Sequence, residues 1–253
     1  MAHLGYQDRG IPTRYTPARQ GLRSKANKYL MLTVHHLNNS RSQRVLWMLE
    51  ELGVEYELKR YQRDPRTMLA PPELRAVHPL GKSPVVTVDG MTLAESGAII
   101  EYLVDRYGEG RFSPPPGTSP ERVRYNYWMH YAEGSAMPPL LLKLVARRLE
   151  SAKMPFFAKP IARRIAQTMQ SSFIDPQLRL HFGYIDAQLA KSPWFAGETF
   201  TAADVQMSFP LEAGSARAGA KSMPHIRAFL ERIHARPAYQ RALARGGRYD
   251  YAS

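Results

Sequence analysis

The chain has 253 residues, 44% hydrophobic and 23% charged, ordinary values for a globular protein that exclude disorder over the whole length. It has no cysteine, which excludes a disulfide framework, a thiolate-held zinc, a CxxC redox pair and a cysteine nucleophile. Lysine and arginine outnumber the acids 35 to 22 for a net charge of +13, a field that attracts anionic partners without specifying a fold.

Residues 1–30 set six cations (Arg9, Arg14, Arg19, Arg23, Lys25, Lys28) against the single Asp8. They show no apolar period and contain the turn formers Gly5, Gly10, Pro12 and Pro17. They read as a flexible basic tail. A nucleic-acid arm, an Arg-rich transit peptide and an extension ahead of a start at Met31 are three accounts of it, and the third is the one expected. No apolar h-region opens the chain, and the run Leu140-Leu141-Leu142 stops at Lys143, far short of the roughly 20 residues of a span. The expectation is a cytoplasmic protein with no membrane partner.

From Leu32 to Leu37 the chain reads as a strand, followed by the turn residues Asn38-Asn39-Ser40. Val45, Leu46, Leu49 and Leu52 then recur at helical spacing, with Gly53 as the C-terminal stop. Val54–Lys59 alternates with period two, a second strand. A short helix starts at Pro71-Pro72. Val85–Val88, Asp89-Gly90 and Met91–Leu93 make a hairpin whose turn requires positive φ at both central positions. Ser96 is expected to cap a helix running to Gly108. Residues 108–118 are linker by composition. Ser119-Pro120-Glu121 is a helix start with cap, proline and first-turn acid in place, and helical stretches follow at 140–150, 160–172, 176–190, 202–214 and 224–245. The fold class expected is α/β plus all-α: a βαβαββα domain over 31–107, a linker over 108–118 and a helical domain over 119–253.

Four motifs stand in a telling order: Asn39-Ser40-Arg41-Ser42-Gln43-Arg44 after the first strand, Gly81-Lys82-Ser83-Pro84-Val85 before the third, Glu95-Ser96 at the third helix, and Thr201-Ala202-Ala203-Asp204 in the helical part. With this layout the chain resembles the glutathione transferase superfamily, a thioredoxin-like domain followed by a helical one, over about residues 31–245. The resemblance is to serine-type members of theta or delta kind. It implies glutathione as co-substrate, transfer to a small apolar electrophile or reduction of a peroxide, and a homodimer. The alternative is a transferase-fold binding module without turnover.

Ser40 lies where strand gives way to helix, among free N–H groups and at the positive end of the helix dipole. On the residues alone it is a helix cap. The resemblance makes it the thiolate-stabilising hydroxyl, because in serine-type transferases that hydroxyl precedes a helical arginine by four residues, as Ser40 precedes Arg44. Asn39 and Ser42 are its rivals. No tyrosine stands at this turn. Ala76 through Ser83 fits a relaxed P-loop pattern, but a strand rather than a helix follows, so that reading fails. The resemblance instead implies a cis Ser83–Pro84 peptide and glutathione contacts from Lys82, Ser83 and Pro84. It also places Glu95 and Ser96 on the γ-glutamyl end of the ligand. The second-substrate wall falls to Tyr127, Tyr131, Glu133, Ser135 and Met137, with core packing as the competing account of the aromatics and Pro138-Pro139 ending that helix. Thr201 and Asp204 form a capping box, structural rather than catalytic, with Phe200 and Val205 as its hydrophobic staple. His35 and His36 point to opposite faces of a strand and cannot easily share an ion, so no metal is expected. No helix-turn-helix, zinc-finger or RNA-binding signature accompanies the charge, so nucleic acid is not expected either.

Overall fold

The computed structural model describes residues 32–252, so the reading of residues 1–30 lies outside the described residues. The apolar run Thr33–Leu37 is strand β1, and Ser42–Leu52 is helix α1, closed by Gly53 in the left-handed conformation at φ 70°. Strand β2 covers Glu57–Tyr61, three residues later at its start than the alternation suggests. Its pairing with β1 decides this, since Thr33 faces Glu57 and Leu37 faces Tyr61. Helix α2 (Pro72–Val77), the hairpin β3 (Val85–Val88) and β4 (Met91–Ala94), and helix α3 (Ser96–Tyr107) complete the βαβαββα order. Asp89 and Gly90 both have positive φ, 52° and 76°, as the tight turn demands. The sheet order is β2-β1-β3-β4. β1 runs parallel to β2 and antiparallel to β3, which pairs antiparallel with β4.

The remainder is helical. Helix α4 (Pro120–Tyr131) starts as its sequence directs, with the Ser119 hydroxyl accepting the Arg122 N–H at 3.2 Å. A π turn over Ala132–Ala136 follows without a break, then α5 (Met137–Ser151). Pro138 and Pro139 therefore do not end the helix. They lack the N–H groups an α register needs, and the π turn falls just before them. Helix α6 (Lys159–Met169) passes through a second π turn, Gln170–Ile174, into α7 (Asp175–Leu189), and Pro176 again follows the π segment. Helix α8 (Ala202–Ala218) is buried along most of its length. The stretch read as one helix over 224–245 is two, α9 (Pro224–His234) and α10 (Pro237–Gly246). Pro237 has no N–H to continue the ladder and restarts it at a first-turn position.

One apolar core runs through both parts. Helix α1 is buried on every side from Ser42 to Leu49. It lies against β1, and α10, α8 and α3 cover the rest of it. Trp47 meets Tyr239 of α10 edge-on at 5.2 Å. At Gly246 a Cβ would stand 2.6 Å from the end of the Gln43 side chain and 3.1 Å from Leu46, so α10 packs on α1 here through the absence of a side chain.

Candidate active site

The turn between β1 and α1 gathers a line of hydroxyls. Ser40 Oγ accepts the Ser42 N–H at 3.2 Å and lies 2.7 Å from Ser42 Oγ and 3.4 Å from Ser83 Oγ. Ser42 Oγ in turn lies 2.8 Å from His36 Nδ1. His36 is buried, and its imidazole is pushed down to about 4, first by burial and then by Arg60, with a hydrogen bond to the Gly246 backbone opposing. In the tautomer that carries its proton on Nε2, Nδ1 accepts the Ser42 hydroxyl. His35 points the other way, to Tyr61 Oη at 2.8 Å and Thr87 Oγ1 at 3.3 Å.

Ser83 sits beside this turn because its hydroxyl bridges β1, donating to the His35 carbonyl at 2.9 Å and accepting the Leu37 N–H at 3.2 Å. The Ser83–Pro84 peptide is cis. Pro84 is buried and Lys82 exposed. Gly81 has φ 55°, and a Cβ there would overlap the Arg75 side chain at 2.6 Å.

Ser96 does not cap α3. Glu95, exposed and at φ 69°, holds the cap position, and Ser96 is the first helical residue. The Ser96 hydroxyl is taken by Arg44 Nη2 at 2.7 Å, beside the free first-turn N–H groups of α3. Arg44 is 1% exposed. Its guanidinium also bonds the Gln206 carbonyl on α8 and the Glu133 carboxylate. Arg41 Nε holds both Glu133 oxygens at 2.9 Å. Burial pushes the Glu133 carboxyl up, but Arg44 and Arg41 outweigh it and hold the group below its ordinary value. Glu133, read as substrate wall, is thus the acid that joins the helical part to α1.

Of the other wall residues, Tyr131 donates to or accepts from His181 Nδ1 at 2.6 Å and is buried, and Met137 belongs to the core. Ser135 is half-buried in the π turn. Tyr127 is exposed and clusters with Trp128, Tyr131 and Tyr184. A cavity of about 1170 Å³ is lined by Tyr127, Trp128, Tyr184, Trp194 and Phe195, and Ser40, Ser83 and Ser96 have no part in it. The structure therefore brings Ser40, Ser42, Ser83 and Ser96 into one region through Arg44 and the hydroxyl line. It leaves Tyr127 at a separate cavity and Tyr131 and Met137 in packing.

Asn39, at φ 49°, turns its side chain to the C-terminal segment. Nδ2 donates to Asp250 at 2.7 Å, and Oδ1 accepts the Asp250 N–H at 2.9 Å. The Thr201–Asp204 capping box is formed. The Asp204 carboxylate accepts the Thr201 N–H at 2.7 Å, the Thr201 hydroxyl at 3.2 Å and the Phe195 N–H at 2.8 Å. Phe200 packs among Trp47, Phe112 and Trp194. Sequence reasoning missed the roles of Arg41, His36, Gln206 and Asp250. Only Arg44 carried a signal, its spacing from Ser40.

Comparison with known proteins places the fold in a family. The glutathione S-transferase N-terminal domain family matches residues 31–105, and the C-terminal domain family matches residues 169–237. Glutathione S-transferase 3 of Schizosaccharomyces pombe is 42% identical over 210 residues, covering 82% of this chain and 85% of that protein. Glutathione S-transferase 1 of Saccharomyces cerevisiae is 30% identical, covering 83% and 92%. A crystal structure of a glutathione S-transferase from Actinobacillus pleuropneumoniae superposes with a TM-score of 0.72 at 34% identity, over 88% of this chain and 96% of that one. Two matched domains in the right order and a relative similar across most of both chains leave one assignment: the chain belongs to the glutathione S-transferase family.

Proposed function

We propose that the chain binds glutathione between the β1–α1 turn, the Lys82-Ser83-Pro84 loop and the Glu95-Ser96 start of α3, and directs its thiolate at an apolar electrophile. The observation that carries this reading is the Ser40 hydroxyl, held at the start of α1 and linked to Ser83. A free thiol has a pKa of roughly 8.5, so only a few per cent is ionised at neutral pH. A hydroxyl donor and the positive end of the helix dipole both favour the anion. Within the protein the Ser40 hydroxyl has Ser42 Oγ as its nearest acceptor. On thiolate binding it rotates to the sulfur, while Ser42 stays committed to His36. His36, held near 4, does not store the thiol proton at neutral pH, so that proton passes to solvent. The thiolate then forms a bond to the electrophilic carbon as the leaving group departs with its electron pair.

Lys82 supplies a cation for the carboxylates of the tripeptide. Glu95 pairs with its ammonium, and the α3 start takes the γ-glutamyl carboxylate. Tyr127 and the half-buried Ser135 are the proposed helical contribution to the second-substrate region, and Tyr131 and Met137, buried in packing, drop out of it. Of these, Tyr127 has the exposure such a role needs. A cytoplasmic homodimer is the proposed working form. The test is a thermal shift with glutathione followed by turnover of a chloronitroaromatic, for wild type and Ser40→Ala. Stabilisation by glutathione with turnover that falls in the variant supports the reading. Binding without turnover on any electrophile replaces it with a binding module.

A further inference from the structure

The connection from α5 to α6, and α6 itself, present an apolar surface that the proposed glutathione site does not use. Phe156 and Phe157 lie in the connection with 85% and 67% of their surface exposed, set edge to face at 5.7 Å. Ile161, Ile165 and Met169 follow at four-residue spacing along α6, all exposed, while Ala166 is buried. Helices α5 and α6 pack together, so the buried side of α6 is already satisfied and its aliphatic stripe has no partner among the described residues. Five large apolar side chains at one edge are more than the scattered exposure usual on a monomer.

Basic residues are threaded through the same stretch. Lys153, Lys159, Arg163 and Arg164 are exposed, and no acid occurs from Lys153 to Met169. Among the described residues none of these four forms an ion pair. A second copy of the chain is a poor match for this edge. Protein interfaces are depleted of lysine at their apolar centre and need about 800 Å² per partner, whereas here Lys153 and Lys159 flank two phenylalanines that project from a connection. An anionic lipid surface fits both features. Aromatic side chains enter the boundary between headgroups and acyl chains, and lysine and arginine rest at the phosphates. The absence of a membrane-crossing helix among the described residues does not bear on this, because lying on a bilayer and spanning it are separate properties.

We infer that residues 153–169 dock the protein reversibly on an anionic membrane surface, with Phe156 and Phe157 inserted and Lys153, Lys159 and Arg164 at the headgroups. The docking is independent of the glutathione reading, and neither depends on the other's success.

The experiment is co-sedimentation of the full chain with vesicles of phosphatidylcholine alone and of phosphatidylcholine with phosphatidylserine, at low and high salt. Wild type binds the serine-containing vesicles and is released by salt. Lys159→Glu/Arg164→Glu weakens binding at least about tenfold, and Phe156→Ser/Phe157→Ser weakens it similarly, while both variants keep wild-type glutathione turnover in solution. Equal binding to both vesicle types overturns the proposal, as does no binding by wild type. So does binding unchanged in both variants but lost on removal of residues 1–30, which assigns it to that segment. A Phe156→Ser/Phe157→Ser protein that changes oligomeric state yet binds vesicles as wild type overturns it in favour of a copy-to-copy interface.

Discussion

Asn39 and Asp250, 211 residues apart in sequence, hold each other reciprocally, the amide of one on the carboxylate and backbone N–H of the other. The pair fastens the C-terminal segment over the turn that carries Ser40. Tyr249 and Tyr251 extend the fastening, the first to Glu212 at 2.6 Å and the second to Arg217. Asn39 thus has both ends of its amide engaged.

Asp250→Ala should release this segment without unfolding the protein. Hydrogen exchange is expected to rise at residues 38–41 and 247–252 together, and Asn39→Ala should add little to it. The Asp250 carboxyl lies below its ordinary value, chiefly through Arg248 and then Asn39, so the link weakens as the pH falls and the carboxyl protonates. Additive effects of the two substitutions would show that the pair does not act as a unit.

Ser40→Ala is expected to lower turnover by roughly 10- to 150-fold, the worth of a hydrogen bond to a charged group. The pKa of bound glutathione should rise while the fold survives. Ser42→Ala is expected to cost less, because it removes the parking acceptor and not the donor. A thiolate pKa that is unmoved in Ser40→Ala and raised in Asn39→Ala would mean the donor has been misidentified.

Two buried groups give opposite pH dependences. Burial raises the Asp204 carboxyl to about 7, against opposing bonds from Phe195 and Thr201. The folded protein then binds a proton that the unfolded chain has lost, so this contribution falls as pH rises from about 4 to about 7. His36 is lowered to about 4 from 6.5. Its contribution is complete above 6.5 and is lost as pH falls toward 4. In urea unfolding, the stability of Asp204→Asn measured against wild type should therefore rise with pH across that window, and that of His36→Asn should fall. Asp204→Ala should cost about 1–2 kcal/mol for the cap, and more because the Phe195 N–H is left buried. Michaelis constants of the folded fraction should stay near normal.

The Arg44–Glu133 pair is asymmetric, the arginine fully buried and the acid about a third exposed, with side-chain exposures of 1% and 31%. Glu133→Ala should cost about 3 kcal/mol, the lower end for stranding a buried charge. Arg44→Met combined with Glu133→Leu should be less destabilising than Glu133→Ala alone. A double variant worse than the single one would place the value of the pair in its hydrogen bonds to Ser96 and Gln206.

Features set by neighbours in sequence were legible from the residues alone. The Asp89-Gly90 turn, the Ser119-Pro120-Glu121 start and the Thr201–Asp204 box each follow from residues within three positions of one another. The break at Pro237 was equally local, but the apolar spacing on either side of it concealed it. The π turns were not legible, because one extra residue per turn shifts the helical period without changing composition. Nor was the set Arg44, Ser96, Glu133 and Gln206, whose members lie 52 to 162 residues from Arg44. No short-range pattern encodes a contact at that distance.

The closure of α1 by α10 bears on the order in which the protein is made. Trp47, Gln43 and Glu50 of α1 find Tyr239, Gly246 and Arg241 only when the last helix is present. The sheet and its helices leave the ribosome first, yet one wall of their core is among the last segments translated. Nascent chains stalled before Pro237 should thus remain open to protease throughout the first hundred residues, and protection should come late and all at once.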